Sequence, residues 1–207
     1  MGSIVLLSGG IDSAVCAAIE AERGRLLGCL FIFYGQPAGD AERCAARAVA
    51  RQLGAPFRQM TVPLPLGPMG APEGEAGPRV VPGRNLALLS LATCYALGVG
   101  ADTVVVGATA DDRDSYPDCR GPFIRNVSEL VRVTYGAHVE APLIGCSKAK
   151  VVGIARRLGL DLSSTWSCYT PRPSDAPIER YQVPPVEPCG TCNACLERAR
   201  AFEEVVG

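Results

Sequence analysis

The sequence predicts an open α/β fold: a parallel sheet with helices on both faces, followed by a small Cys-rich C-terminal appendage. Three observations carry this. Short apolar runs alternate with helical patterns at the spacing of strand–helix–strand units. The runs are apolar throughout, as expected of strands covered on both faces. From Ser163 onward the alternation gives way to a Pro- and Cys-rich stretch ending in one short helix.

The elements follow in order. Residues 3–7 form an apolar run stopped by Ser8-Gly9-Gly10, and Asp12–Arg23 reads as a helix with Val15, Ile19 and small alanines inward and Gly24 as its stop. Leu26–Tyr34 is a second buried strand, Asp40–Leu53 a helix closed by Gly54, and Phe57–Val62 a third strand. Residues 63–83, with six prolines, are a loop of the length that carries function. Arg84–Leu97 is a helix and Thr103–Val106 a β-branched strand. Asp111–Pro122 is polar and irregular; a helix at Ile124–Tyr135, a strand at Val139–Pro142 and a helix at Lys148–Leu158 complete the series. The division expected is 1–162 for the α/β domain and 163–207 for the Cys-rich region packed on it.

Composition narrows the function classes. In 207 residues, 48% are hydrophobic and the formal net charge is -1, which excludes disorder and argues against a dedicated nucleic-acid binder. The N-terminus lacks a basic region, and Leu86–Gly100 is too short to span a bilayer. A cytoplasmic protein without membrane attachment is expected. There, ten cysteines beside one histidine point to metal or catalysis and away from disulfides. That histidine, His138, reads as a strand-end residue.

Ser8-Gly9-Gly10-Ile11-Asp12-Ser13 lies at the turn from first strand to first helix. Free backbone amides and the helix dipole converge there, so an anion belongs there. Two glycines permit close approach of a phosphate, Ser8 and Ser13 add hydroxyl donors, and Asp12 is a carboxylate able to hold magnesium. There is no Gly-Lys-Ser/Thr ending, so this is not a Walker A loop. An ordinary Gly-rich turn with a capping Asp is the plain alternative.

Cys189, Cys192 and Cys195 form C-x-x-C-x-x-C, and Cys168 lies upstream in Trp166-Ser167-Cys168-Tyr169. Four thiols make a closed, structural zinc site. An iron–sulfur cluster is the rival, but no Cys-Pro follows Cys195 to complete a ferredoxin pattern. Cys16, Cys29, Cys44, Cys94 and Cys146 sit in apolar stretches and read as packing residues.

The SGGxDS loop opening an α/β fold resembles the N-type ATP pyrophosphatases. That resemblance implies an adenine nucleotide α-hydrolase-like, Rossmann-type domain, magnesium-ATP as cosubstrate, and phosphate contacts from Ser8, Gly9, Gly10, Asp12 and Ser13. Further strings narrow it: Val81-Pro82-Gly83-Arg84-Asn85, Tyr116-Pro117-Asp118-Cys119-Arg120 with Phe123, Ala141-Pro142-Leu143 before Ser147-Lys148, and Thr165-Trp166-Ser167-Cys168-Tyr169. In that order, over nearly the whole chain, they are similar to the 7-cyano-7-deazaguanine synthase (QueC) family.

The family resemblance implies adenylation of 7-carboxy-7-deazaguanine, displacement of AMP by ammonia, and dehydration of the amide to a nitrile with a second ATP, by a homodimer. Asp12, Lys148 and Arg84 are the catalytic candidates, the two cations suiting polyphosphate charge in the transition state. Asn85, Asp112, Tyr116, Asp118, Arg120 and Phe123 are the substrate-binding candidates. Asp118 suits the two donors of a guanine edge, Arg120 the substrate carboxylate, and Phe123 or Tyr116 stacking on the base. The plainer readings are a Lys148 that solvates a helix start, an Arg120 paired with Asp118, and a Phe123 in the core.

Three departures bear on the acceptor. Tyr34-Gly35-Gln36 continues Pro37-Ala38-Gly39-Asp40 where the family has Arg-His and then an acidic residue. Thr109 stands where Asn is expected, and 20 residues lie between Cys168 and Cys189, including Arg172, Asp175, Glu179 and Arg180. They touch the nitrile-forming half more than adenylation. A QueC-like enzyme of an antiphage operon, passing the activated deazaguanine to an amine of a partner protein, is therefore the alternative. A tRNA thiolase or lysidine-type enzyme is disfavoured by the charge balance.

Overall fold

The computed structural model describes residues 1–64, 81–113, 116–174 and 186–206. Five strands, β1 (Ser3–Leu6), β2 (Leu26–Phe33), β3 (Phe57–Thr61), β4 (Thr103–Val105) and β5 (His138–Glu140), form one parallel sheet in the order β3-β2-β1-β4-β5. The order reverses between β1 and β4. In such sheets the crevice beyond the carboxyl ends of these two strands is where ligands bind.

Side-chain alternation along the strands builds two cores. Val5, Phe31 and Val105 face one side and pack with helices α1 (Ile11–Glu22), α2 (Gly39–Gln52) and α5 (Lys148–Arg157). Ile4, Leu30, Ile32 and Val104 face the other and pack with α3 (Arg84–Gly98) and α4 (Gly121–Tyr135). Ala14, Val15, Ala17 and Ala18 on α1 are buried, and such small side chains let the helix lie close to the sheet.

Each strand of the β1–β4 series ends one residue before the sequence pattern does. Leu7, Tyr34, Val62 and Val106 already belong to the loops that turn into the crevice. The fifth strand is His138–Glu140 and excludes Pro142, which has no N–H for the ladder. The Asp111–Pro122 stretch contains two short 3-10 turns, Asp111–Arg113 and Pro117–Cys119. Helix α4 starts at Gly121 because Pro122 is pre-organised for a first turn.

The C-terminal region adds a two-residue antiparallel pair, β6 (Arg172–Pro173) with β7 (Val186–Glu187), and α6 (Asn193–Val206), which packs on α5. Residues 65–80 of the Pro-rich loop, and Asp175, Glu179 and Arg180, lie outside the described residues.

Two cysteine expectations need correction. Cys16, Cys29 and Cys146 are buried, but Cys44 and Cys94 are exposed. Helical phase explains it: α2 turns Ala41, Ala45, Val49 and Ala50 inward and α3 turns Leu89, Ala92 and Ala96 inward, leaving those thiols on the water side.

A charge network around one buried carboxylate closes the far end of the sheet. Glu20, fully buried, accepts two hydrogen bonds from Arg25 at 2.9 Å and one from Arg23 at 3.0 Å, while Arg25 also reaches Glu140 at 2.9 Å. Burial works to raise the Glu20 carboxyl, but the bonds from Arg25 and its neighbours outweigh it and hold the group below the ordinary carboxylate range.

Candidate active site

The loop after β1 meets α1 at Gly10, whose backbone is extended and whose position is the helix N-cap. The first-turn amides of α1 have no intrahelical acceptors and face outward from the helix end. Ser8 and Ser13 tie the loop together: their hydroxyls are 3.0 Å apart, the Ser8 amide donates to Ser13 Oγ at 3.2 Å, and Ser13 Oγ donates to the Gly10 carbonyl at 3.0 Å.

Gly9 is required twice over. Its φ is +87°, and a side chain there would run into the Glu42 carbonyl and come within 2.9 Å of the Ala46 amide. Gly107, after β4, is equally constrained, since a Cβ would stand 2.7 Å from the Ser13 amide nitrogen.

Asp12, in the first turn of α1, is met by Lys148 from the start of α5: Nζ donates to Oδ2 at 2.5 Å. Lys148 therefore does not simply solvate a helix start, and Asp12 makes no capping bond. Asp12 Oδ1 is buried without a partner. Burial raises the Asp12 carboxyl, with Asp112 and Asp111 adding to the effect and Lys148 opposing it. Burial works against the Lys148 ammonium, but Asp12 and Asp112 prevail and its pKa is raised, so it stays charged.

Two adjoining cavities open at the crevice. The larger, of about 280 Å³, has an apolar floor of Leu6, Leu30, Ile32, Leu88 and Leu89, and Tyr34, Arg84, Asn85, Asp112 and Tyr116 on its walls. The smaller, of about 150 Å³, is polar and runs along Gly10, Ile11 and Lys148 to Trp166, Ser167 and Glu197. Ser8, Asp12, Glu42, Asp112 and Tyr169 wall both and form the neck between them.

The remaining candidates divide. Arg84 lies in the larger cavity, donating to Asn85 Oδ1 at 3.3 Å and reaching the Tyr34 hydroxyl at 3.5 Å. Asp112 is held by Thr109, whose amide and hydroxyl both donate to Oδ2, at 2.9 and 2.7 Å; the Thr109 departure thus keeps a donor for this carboxylate. Tyr116 and Tyr169 bring their hydroxyls to 3.5 Å.

Asp118, Arg120 and Phe123 do not wall either cavity. Asp118 Oδ2 accepts the Asn85 amide at 3.2 Å, Arg120 is exposed and donates to the Arg113 carbonyl at 2.9 Å, and Phe123 packs against the core under α3 and α4. Asp118 thus positions the start of α3, on which Arg84 and Asn85 sit.

The four predicted cysteines converge. Cys168, Cys189, Cys192 and Cys195 bring all their Sγ atoms within 4.8 Å of one another, and Gly190 at φ +74° makes the turn between two of them. The cluster is joined to the Ser8–Ser13 loop. Two residues before Cys168, the Trp166 amide donates to the Gly9 carbonyl at 2.8 Å. Arg198, three residues after Cys195, donates to Thr165 Oγ1 at 2.7 Å and to the Leu162 carbonyl at 2.8 Å.

Sequence reasoning missed Glu42, Glu197 and Arg198. Their signal is weak, because a single acidic or basic residue on an amphipathic helix reads as a solvated position. Only the docking of α2 against Gly9, and of α6 against α5, turns them inward.

An open parallel sheet, a Ser8-Gly9-Gly10 turn at its switch point and a lysine–aspartate pair beside it are the architecture of an α/β protein of the adenine nucleotide α-hydrolase-like type. The family model described as "Queuosine biosynthesis protein QueC" matches residues 2–206. The chain belongs to the QueC family. It is 36% identical over 222 residues to the 7-cyano-7-deazaguanine synthase of Novosphingobium aromaticivorans, covering 98% of this chain and 90% of that protein. It is 35% identical over 227 residues to the synthase of that name from Anaeromyxobacter dehalogenans, covering 98% and 91%. Among solved structures, the NH3-dependent NAD synthetase of Campylobacter jejuni aligns with a TM-score of 0.49 at 17% identity, over 79% of this chain and 66% of that one. Among the described residues, no helix is long and apolar enough to cross a membrane.

Proposed function

We propose that this protein adenylates 7-carboxy-7-deazaguanine with ATP and converts the product with ammonia to 7-cyano-7-deazaguanine, releasing AMP and pyrophosphate. Family membership makes the chain an enzyme, an ATP-dependent carbon–nitrogen ligase of the 7-cyano-7-deazaguanine synthase kind. The observation that carries the finer reading is the neck: Asp12 and Lys148, 136 positions apart, are paired where a polar phosphate-side cavity meets an apolar one.

In this arrangement the polyphosphate lies on the α1 amides and the Ser8 and Ser13 hydroxyls. The substrate carboxylate oxygen attacks the α-phosphorus, the bond to the β-phosphate breaks, and pyrophosphate leaves beside the Lys148 ammonium. A fixed cation aimed at developing charge acts without reorganisation. Asp112 and Asp111 crowd Asp12 with like charge, and Asp12 Oδ1 lacks a partner. Both facts fit a magnesium ion held by Asp12, which when bound neutralises phosphate charge. Ammonia then displaces AMP to give the amide. A second ATP adenylates the amide oxygen, and loss of AMP with the N–H protons leaves the nitrile.

The four thiols fit a structural zinc ion. A tetrahedral site with Zn–S near 2.3 Å has its sulfurs about 3.8 Å apart, within the spread of this cluster. A homodimer is supported by α4, which leaves Leu130, Val133 and Tyr135 each 63% exposed.

The test is mass spectrometry of products after incubation with 7-carboxy-7-deazaguanine, magnesium-ATP and ammonium. The nitrile is expected. Adenylate or amide without nitrile overturns the ammonia-to-nitrile reading and turns the search to another amine acceptor.

A further inference from the structure

Glu42 has no part in the chemistry derived so far, yet it walls both cavities at their neck. Its environment is built with care. The Tyr34 amide donates to Gln36 Oε1 at 2.9 Å, which fixes which way the Gln36 amide lies. Its NH2 group therefore faces the Ile32 carbonyl at 3.4 Å and Glu42 Oε2 at 3.0 Å. Gly39 is needed beneath this turn, because a Cβ would collide with the Phe33 ring and press to 3.4 Å on Gln36 Cδ. Glu42 Oε2 is thus locked as an acceptor. Oε1 has no partner among the described residues and is not among the buried orphan atoms, so it is open to the neck.

The three acids of the neck are not equivalent. Asp12 is committed to Lys148, and Asp112 accepts two bonds from Thr109 on one oxygen and shares the field of Lys148. Glu42 has one oxygen free and no lysine beside it. Glu42 Oε2 already accepts from Gln36, which leaves Oε1 as the oxygen without a bond. One oxygen is enough for an ammonium N–H.

Position supplies the rest. In an acyl adenylate, the carbon under attack lies between the phosphate and the base. Here it lies between the polar cavity and the apolar one, which is the neck. We infer that Glu42 is a catalytic residue that receives the ammonium ion at the neck and takes its proton; this deepens, and rests on, the ammonia-dependent reading above. Ammonium gives one proton to Glu42 Oε1 and becomes ammonia. Ammonia forms the C–N bond at the acyl carbon, the C–O bond to AMP breaks, and AMP leaves with the electron pair. The second proton lost from nitrogen goes to the departing phosphate or to water. Burial lifts the Glu42 carboxyl above its ordinary range, with Gln36 and Arg84 opposing, which makes it a stronger base than a solvated carboxylate.

The test compares ammonium with hydroxylamine, an amine largely unprotonated at pH 7 that attacks an acyl adenylate without prior loss of a proton. Glu42→Gln keeps the shape and still offers an oxygen to Gln36. Ammonia-dependent amide formation should fall about 100-fold, while pyrophosphate release and hydroxamate formation change less than about threefold. Glu42→Asp, which keeps the carboxylate but withdraws it by one methylene, should show the same split with a smaller loss. Equal loss with both amines, or undiminished use of ammonium, overturns the inference. Wild-type protein that forms amide while Glu42→Gln does so equally leaves the ligase reading standing and removes only this base. Wild-type protein that forms no adenylate removes both.

Discussion

Gly107 is the position where the sheet and the phosphate loop have no room to spare, and Gly107→Ala tests the site reading. The added Cβ would stand 2.7 Å from Ser13 N, 2.9 Å from Asp12 C and 3.0 Å from Ser13 Cα. All three are backbone atoms, so no rotamer change relieves the contact. Recovering an ordinary 3.4 Å separation moves the first turn of α1 by about 0.7 Å, and forced shifts of this kind cost about 1–3 kcal/mol. Against a typical domain stability of about 5–15 kcal/mol, the variant stays folded. The displaced turn carries Asp12 and Ser13, however, and a misplacement approaching 1 Å in a reacting constellation lowers the rate by up to about 100-fold. Urea denaturation should therefore show a loss of 1–3 kcal/mol, and a pyrophosphate-release assay a drop of about 10- to 100-fold. Wild-type turnover in a variant destabilised by that amount would refute the claim that this turn sets the catalytic geometry.

Other perturbations probe separate parts. Lys148→Met should lower pyrophosphate release at least about 100-fold, since one preorganised charge at a developing anion is commonly worth that much; a change under threefold in the same assay rejects its role. Cys192→Ser should lose bound zinc, measured by elemental analysis, and melt at lower temperature, because a structural metal contributes folding energy. Wild-type metal content would reject Cys192 as a ligand. Arg25→Met leaves Glu20 buried with Arg23 as its one remaining cation and Ser3 as a hydroxyl partner, and should cost about 3–5 kcal/mol near pH 7. Glu20 is held below the ordinary carboxylate range in the fold, so its stabilisation is complete above that range and fades as pH falls through it. The gap between wild type and Arg25→Met should then shrink in acid, and denaturation curves showing a pH-independent gap would contradict the network.

The parts of the site legible in the sequence are those fixed by local backbone chemistry. Gly9 and Gly10 mark a strand-to-helix turn, and the thiol spacing at Cys189, Cys192 and Cys195 marks a cluster, whatever the surroundings. Asp118, Arg120 and Phe123 have the right chemistry for a purine carboxylate but sit outside the cavities, because their orientation follows from the docking of a short 3-10 turn against α3. The same limit hid Glu42. Its place at the neck depends on the docking of α2 against Gly9, a long-range contact, while the Gln36 amide that holds it is oriented locally by the Tyr34 backbone. Cys44 and Cys94 were misjudged for a related reason: a locally apolar stretch does not reveal helical phase when alanines dominate it.

The 2.8 Å bond from the Trp166 amide to the Gly9 carbonyl has a consequence for how the enzyme ages and fails. Two cores flank the sheet, one of them shared with Ala201 of α6, and the outer wall of the smaller cavity, from Trp166 and Ser167 to Glu197, comes from the thiol-bearing segment. If the thiols hold the proposed zinc, chelation or oxidation there loosens this wall first, and pyrophosphate release falls before the circular-dichroism signal of the sheet. On that reading the thiol clamp is a fuse, and the working lifetime of the enzyme follows its weakest cooperative unit.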